Sequence, residues 1–291
     1  MFEETLEVAS NIDPAPDRES SQLVNKRKPF LKWVGGKTQL LPSLLKFVPT
    51  QFNRYIEPFV GGGALFFTLN HPRSIISDLN EELIITYKAI RDDVQSVITS
   101  LNGFVNQKKY YYEIRATSVA DLPEPIRAAR LIFLNKTCFN GLYRVNKKGN
   151  FNVPYNGGEG RKFFDAYTLL QASEILKGTN IIFNDYRAVL KRYAKKGDLI
   201  FLDPPYQPIG KNSDFKRYTK EFFYEKDQID LAENFKKLVN KGCKVILTNS
   251  AHPLIFDLYK EFKIETVTSR RLISCDPQTR TGQDIIVLGG I

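Results

Sequence analysis

Apolar residues along the chain fall into two patterns. Short continuous runs of branched and aromatic residues read as strands buried on both faces, and apolar positions three and four apart read as helices. The first helical pattern is Lys37–Val48, with Leu40, Leu41, Leu44 and Leu45 on one face. Arg54–Pro58 and Ser74–Asp78 read as short strands, separated by a glycine turn at 61–63 and a helix from Ala64. Asn80–Arg91 reads as the next helix, opened by Asn80 in the N-cap position. From Asn180 the runs IIF, DLIFLD, KVILTN and DIIVL read as strands, and Asp227–Asn240 sets Leu231, Phe235 and Leu238 on one helical face. Strands spaced by helices predict an α/β fold with a mostly parallel, doubly wound sheet covered on both faces.

Between about residues 92 and 178 this rhythm stops. Segments such as KKYYYEIR and CFNGLYRVNKKGNFNVPYNGGEGRK mix bases with aromatics, and strand runs are hard to find. The expected organisation is a leader over 1–25, a sheet domain from 26–91 and 179–291, and an inserted, mainly helical domain over 92–178. No internal repeat is visible.

Composition narrows this picture. A chain of 291 residues, 42% hydrophobic, can bury a sizeable core. No apolar run approaches the ~18–20 residues of a membrane span. The start of the chain lacks the basic and apolar regions of a signal peptide, so the expected location is the cytoplasm. Cys138, Cys243 and Cys275 are scattered without a CxxC pair, and His71 and His252 are the only imidazoles. Neither a disulfide framework nor a metal centre is expected, and the cysteines read as small buried apolar residues.

Charge is uneven. Residues 1–25 carry six acids against one base, Arg18, a net of −5, so with +10 for the whole chain the remainder carries +15. The acidic, proline-bearing start reads as a disordered leader, and the basic body suits a polyanion. Residues 102–162 hold eleven Lys or Arg against four acids, interleaved with nine Phe or Tyr. That mixture suits phosphate contact with stacking on displaced bases, the alternative being a solvated charged face.

Four stretches carry candidate chemistry. EPFVGGGALFF (57–67) sits where a strand turns into a helix, so its glycines let backbone approach a ligand at the carboxyl edge of the sheet. SDLN ends the second strand on Asp78, where a carboxylate can accept two ribose hydroxyls. Together they indicate an adenosine-containing cofactor. The dinucleotide fingerprint fails, because Phe66 stands where its third glycine belongs. In FLDPPY (201–206), prolines without N–H groups stop the strand, leaving Asp203 in the ligand crevice. A carboxylate, the acceptor-only Pro204 carbonyl and the Tyr206 ring suit a planar ring bearing an exocyclic amine. Two acceptors can hold the two amine hydrogens and favour a pyramidal, nucleophilic nitrogen. Finally, FLKWVGGKT ends like a phosphate loop, but that motif needs glycine where Leu31 stands.

In order along the chain, FLKWVGGK, EPFVGGG, SDLNEELI, NKTCFNGLYRVN, GNFNVP, FLDPPY and SRRLIS resemble the Dam-type (D12 class, group alpha) DNA adenine-N6 methyltransferases, from about Phe30 to Leu288. The resemblance implies a Rossmann-like S-adenosylmethionine-dependent methyltransferase sheet with a DNA-recognition domain inserted at 92–178. It implies that Trp33, Lys37, Glu57, Phe59, Gly61 and Gly63 bind S-adenosylmethionine, with Asp78 on its ribose. Asp203 would lie near both cofactor and target amine, with Pro204, Pro205 and Tyr206 completing the catalytic motif. Lys32 is a family position that reaches DNA. Phe139 and Asn140 would invade the duplex, Leu142 and Arg144 would touch base edges, and Pro154 lies in a matching turn.

The implied activity is site-specific methylation of adenine N6 in double-stranded DNA, on a base flipped from the stack, in GATC, without a metal. Relatives follow the proline turn with Gly-Arg-Tyr; this chain has YNGGEGRKFF, leaving Arg161 as a candidate for that arginine's place. Cytosine-N4 methylation uses the same acceptors, but is usually tied to Ser rather than Asp before the prolines. An ATP-driven nucleic-acid enzyme is disfavoured by Leu31, and a non-catalytic DNA-binding protein by the intact Asp203-Pro-Pro-Tyr. A restriction-modification, repair or regulatory setting is left open, as is the oligomeric state.

Overall fold

Successive side chains of every central strand enter two different cores. Tyr55, Ile76, Leu199, Phe201, Ile246 and Ile286 pack into one, and Ile56, Ile75, Ile200, Leu202, Val245 and Val287 into the other. Because neighbouring residues in a strand point to opposite faces, a sheet covered on both sides requires the continuous apolar runs seen in the sequence. The computed structural model describes residues 27–208, 223–270 and 281–291. The acidic leader, Cys275 and most of SRRLIS therefore lie outside the described residues.

The strands are β1 (Tyr55–Glu57), β2 (Ser74–Asp78), β3 (Asn180–Phe183), β4 (Leu199–Leu202), β5 (Lys244–Ser250), β6 (Lys263–Arg270) and β7 (Thr281–Gly289). They form one sheet in the order β3-β2-β1-β4-β5-β7-β6. The first five are parallel, with Ile56 opposite Ile75 and Ile200. β7 runs antiparallel to both β5 and β6. The chain winds outward from β1 to β3 and then returns to lay β4 beside β1. Ligands of open α/β sheets bind at such a reversal, outside the carboxyl ends of the strands.

Two local expectations change. Lys37–Val48 is a 3₁₀ turn at Lys37–Gln39 followed by the short helix α1 (Leu41–Leu45), because Pro42 lacks an N–H and starts a new helix in its first turn. β6 was not anticipated: KIETVTSR is an edge strand without a buried side chain among those described, so it lacks the apolar run that marks the others. α2 (Ala64–Leu69) begins at the expected residue. Asn80 caps α3 (Glu81–Asp92), its Oδ1 accepting from the Leu83 amide at 3.1 Å.

The segment without strand rhythm folds as α4 (Val94–Asn102), α5 (Lys108–Ala116), α6 (Glu124–Thr137), a 3₁₀ turn at Phe139–Gly141 and α7 (Ala166–Leu176). Ala128, Leu131, Ile132, Phe133 and Leu134 of α6 share a core with the strands' Tyr55 and Ile76. The opposite face of the sheet is covered by α8 (Tyr186–Tyr193), α9 (Glu225–Asn240) and α10 (Pro253–Leu258). Cys138 and Cys243 are buried and free, as their spacing suggested.

The aromatic residues of 102–162 do something other than their composition suggested. Phe133 makes edge contacts with Phe104 at 5.4 Å and Tyr110 at 5.8 Å, while Tyr111 lies 5.2 Å from Tyr155. Only Phe139 among them is exposed. These rings are the insert's core, since helices this short need large side chains to bury enough surface. Several bases are structural too. Arg127 pairs with Glu82 of α3, Arg130 donates to the Ile114 and Arg115 carbonyls that end α5, and Arg115 donates to the Val153 carbonyl.

A shared core makes insert and sheet one cooperative unit. Phe133→Ala should lower unfolding stability by about 3–5 kcal/mol, the range for emptying a buried phenyl site. Urea titrations followed by far-UV and tyrosine signals should stay coincident, and two separated transitions would show that the cores are independent.

Candidate active site

The carboxyl edge of β1 sets the first wall. Glu57 is 2% exposed and accepts from the Tyr55 hydroxyl at 2.8 Å, and burial pushes its carboxyl well above the usual range. Phe59 points to the other face of the sheet, its ring 5.0 Å from Tyr186 and 6.1 Å from Phe223. The chain then turns through Gly61 and Gly63, both left-handed, into α2. A Cβ on Gly61 would come within 2.7 Å of the Trp33 ring. That position is glycine for its φ of 45° and for this close approach.

Asp78 closes β2 beneath the turn. Its Oδ2 accepts from the Gly61 amide and its Oδ1 from the Asn80 amide, each at 3.0 Å. Burial pushes its pKa up to about 6 against those amide donors. A carboxylate has about four acceptor positions, so two amides leave capacity for further donors.

Across the reversal, Asp203 follows β4. Lys37 Nζ lies 2.6 Å from its Oδ1 and 2.7 Å from its Oδ2, and also donates to the Gly35 carbonyl. The same ammonium stands over the Tyr206 ring, 4.7 Å from its centre. Burial raises the Asp203 carboxyl, and Lys37 and Thr248 pull it back. Lys37 is itself 5% exposed, so this pair is shielded from water.

The insert reaches this wall through one asparagine. Asn135, fully buried on α6, accepts from the Lys32 amide at 2.9 Å and donates to the Lys32 carbonyl at 2.7 Å and the Gly141 carbonyl at 3.1 Å. Trp33 is stacked on Tyr143 with ring centres 5.4 Å apart. Gly141 is left-handed, and a Cβ there would meet Lys32 Cβ at 2.5 Å, so the Lys32 side chain runs over it.

Phe139 is exposed beside Asn140, whose φ of 54° is unusual for a residue other than glycine. The Phe139 amide donates to the Pro154 carbonyl at 2.9 Å, which brings Pro154 to the same edge. Leu142 is half-buried. Arg144 is exposed, held by Nε donating to Asn152 Oδ1 at 2.8 Å. Close by, burial and the neighbouring Lys32 push the Lys136 ammonium down to about 8. Lys136 also lines a cavity of about 480 Å³ with Lys28 and Lys162. Among the described residues none of these four lysines has an ion-pair partner.

The structure thus brings Trp33, Gly61 and Asp78 together on one side of the reversal and Lys37, Asp203 and Tyr206 on the other. It gathers Lys32, Phe139, Asn140, Gly141 and Pro154 above them. Sequence reasoning missed Asn135, which stood inside a motif noticed for its other residues, and Thr248, Asn249 and Gln228, which surround the Asp203 turn. In the KVILTN run the signal was three polar residues, Thr248–Ser250, ending an otherwise apolar strand. No group of metal-binding side chains occurs among the described residues, and no described helix is long and apolar enough to cross a membrane.

A doubly wound sheet with an acceptor at the end of β4 and a glycine turn after β1 is a Rossmann-like arrangement with its ligand crevice at the reversal. Residues 33–273 match the D12 class N6 adenine-specific DNA methyltransferase family, and the chain belongs to that family. It is 41% identical to the type II methyltransferase M.MjaIII of Methanocaldococcus jannaschii, over 87% of this chain and 95% of that one. It is 40% identical to the type II methyltransferase M1.LlaDCHI of Lactococcus lactis subsp. cremoris, over 84% and 88%. With the DNA adenine methylase of Haemophilus influenzae it shares 30% identity over 91% and 94%. The cofactor of such an enzyme is S-adenosylmethionine, and the residues here fit it. Asp78 keeps acceptor capacity and partial exposure, as ribose hydroxyls require, beside a turn of bare backbone.

Trp33 is the chain's only tryptophan, so its fluorescence reports on this site alone. Tyr143→Ala removes the ring stacked on it and should shift the emission to longer wavelength while the protein stays folded. An unchanged spectrum would mean that the stack does not persist in solution.

Proposed function

We propose that this protein transfers the methyl of S-adenosylmethionine to N6 of an adenine flipped out of duplex DNA, within GATC. The observation that carries this reading is the seat of the Lys37 ammonium. A nitrogen with hydrogens to donate already bonds to the Asp203 carboxylate and lies over the Tyr206 ring. An exocyclic amine on a ring stacked against Tyr206 can use the same acceptor and the same plate. The amine of adenine is a poor nucleophile because its lone pair is delocalised, and it gains reactivity when two acceptors hold its hydrogens.

In this mechanism the cofactor supplies an electrophilic methyl group on a sulfonium. Asp203 and the Pro204 carbonyl each accept one amine hydrogen, and Tyr206 fixes the ring so that the nitrogen lone pair faces the methyl. Lys37 moves off at least one Asp203 oxygen for the amine to bind there. Burial has raised the Asp203 carboxyl, which suits it to take the proton the methylated amine sheds. Trp33, Gly61, Gly63 and Asp78 hold the cofactor, and Glu57 and Phe59 shape the turn that presents it.

Residues 92–178 serve as the target-recognition region. Phe139, exposed on a tight turn, fits the space the flipped base vacates, with Asn140 and Pro154 beside it. Lys32, Lys28, Lys136 and Lys162, without an ion pair among the described residues, offer charge to phosphates. Cytosine-N4 methylation remains the rival chemistry and would use the same acceptors. One experiment separates them: incubate the protein with S-adenosylmethionine and duplexes, then map modified bases. The expected product is N6-methyladenine in GATC, and Asp203→Ala should lower turnover by at least ~100-fold. N4-methylcytosine, or near-normal transfer by that variant, overturns the reading.

Arg144 and Lys147 separate base reading from charge. Arg144→Ala should cost about 1–3 kcal/mol on GATC and relax choice at one outer base pair. Lys147→Ala should weaken all sequences alike and lower the salt slope by about one. Measuring kcat/KM on GATC and its single-base variants at two salt concentrations distinguishes them. An even loss on every site for Arg144→Ala would make Arg144 a phosphate anchor and move base reading first to Arg161.

A further inference from the structure

The carbonyls of the turn after β4 are not equivalent. Gln228 of α9 donates to the Pro205 carbonyl at 2.9 Å, and Ser250 donates to the Gln207 carbonyl at 2.6 Å. The Pro204 carbonyl has no hydrogen-bond partner among the described residues. The donors are held in turn. Asn249 donates Nδ2 to Gln228 Oε1 at 3.0 Å, and its Oδ1 accepts from the Gln207 amide at 3.1 Å and the Ser250 amide at 2.8 Å. Thr248 donates Oγ1 to Asp203 Oδ1 at 2.6 Å.

All four side chains are at most 2% exposed. Burying amides and hydroxyls costs stability unless each is paired, and here the pairs converge on one turn. An apolar end to β5 could have filled the same volume. The polar network instead decides which acceptors of the turn are occupied and which are open.

We propose that Thr248, Asn249, Ser250 and Gln228 are positioning residues that form a brace sorting the acceptors of the Asp203–Gln207 turn. The brace occupies the Pro205 and Gln207 carbonyls and one side of Asp203. It leaves the Pro204 carbonyl, and Asp203 Oδ2 once Lys37 moves off it, for the two hydrogens of the target amine. This inference rests on the amine-acceptor roles given to Asp203 and Pro204 above. None of the four brace residues need touch substrate or cofactor.

The brace also acts on the Asp203 proton. Around that carboxyl stand Lys37 from the 3₁₀ turn, Glu57 and Tyr55 from β1, Tyr206 from its own turn and Asp284 from β7. Burial raises the carboxyl, and the Thr248 hydroxyl and Lys37 lower it. Removing the hydroxyl therefore moves Asp203 protonation to higher pH. Because the ionised form accepts the amine, the acidic limb of the rate profile should move the same way.

The test uses the full chain carrying Thr248→Val, Thr248→Ser or Gln228→Met, each assayed well below its own Tm. Thr248→Val and Gln228→Met should lower kcat roughly 10- to 100-fold, the scale of small misplacements of reacting groups. KM for S-adenosylmethionine and for duplex should stay within about twofold, as for interactions made only in the transition state. Thr248→Ser should restore kcat. In ¹³C-aspartate-labelled protein without ligands, Thr248→Val should move the Asp203 titration to higher pH, and Gln228→Met should leave it in place. Unchanged kcat in both variants, or a raised KM at constant kcat, overturns the brace. If Gln228→Met does not fold, Thr248→Val and its serine rescue decide. If the wild type methylates cytosine or nothing at all, the adenine reading falls. The brace is then judged on the Asp203 titration alone.

Discussion

Residues Phe30–Lys37 have no regular structure before the 3₁₀ turn at Lys37, yet both walls of the site depend on where this strap lies. It is pinned from three directions. Phe30 makes edge contacts with Phe67 and Tyr87. Asn135 bonds both polar backbone groups of Lys32, as a neighbouring strand would. Trp33 is sandwiched between the bare backbone of Gly61 and the Tyr143 ring. Once those points are held, Lys37 has one short reach to make, and Asp203 lies at its end. A strap held this way couples three distant parts of the chain without a helix or strand of its own.

The sheet explains why those parts meet where they do. β1 and β4 are neighbours although far apart in sequence, so the turns leaving their carboxyl ends face each other. Both turns are forced to be irregular, one by left-handed glycines and the other by prolines that cannot continue a ladder. Irregular backbone at a buried edge exposes amides and carbonyls that need partners. Here Asp78 accepts from the Gly61 amide of the first turn, and Gln228 and Ser250 donate to the Pro205 and Gln207 carbonyls of the second.

The insert shows how the same residue types can serve opposite ends. Aromatic rings and bases dominate residues 102–162, and together they suggest a nucleic-acid surface. Most of the rings are internal, and Arg115, Arg127 and Arg130 brace helices rather than facing outward. What remains is a smaller and sharper surface: one exposed phenyl ring on a strained turn, a held arginine and a group of lysines without an ion pair among the described residues.

By itself the sequence determined the strands that are apolar on both faces, the capped helix after Asp78, and the motif residues at the carboxyl ends of β1, β2 and β4. These features are local: a period of two or 3.6, a cap, a proline stop or a glycine turn is written within a few residues. It did not reveal β6, which has no buried side chain among those described, nor the break at Pro42, where a periodic apolar pattern hid a missing N–H. Tertiary structure alone decided that Asn135 grips Lys32, that Lys37 reaches Asp203, and that Thr248, Asn249 and Gln228 surround the Asp203–Gln207 turn. Each of those contacts joins residues at least 20 positions apart, and Asn135 with Lys32 is separated by 103. A buried polar residue has no period that marks its partner. Its partner is chosen only when the sheet closes, because a buried amide or hydroxyl must then find a hydrogen bond or lose stability.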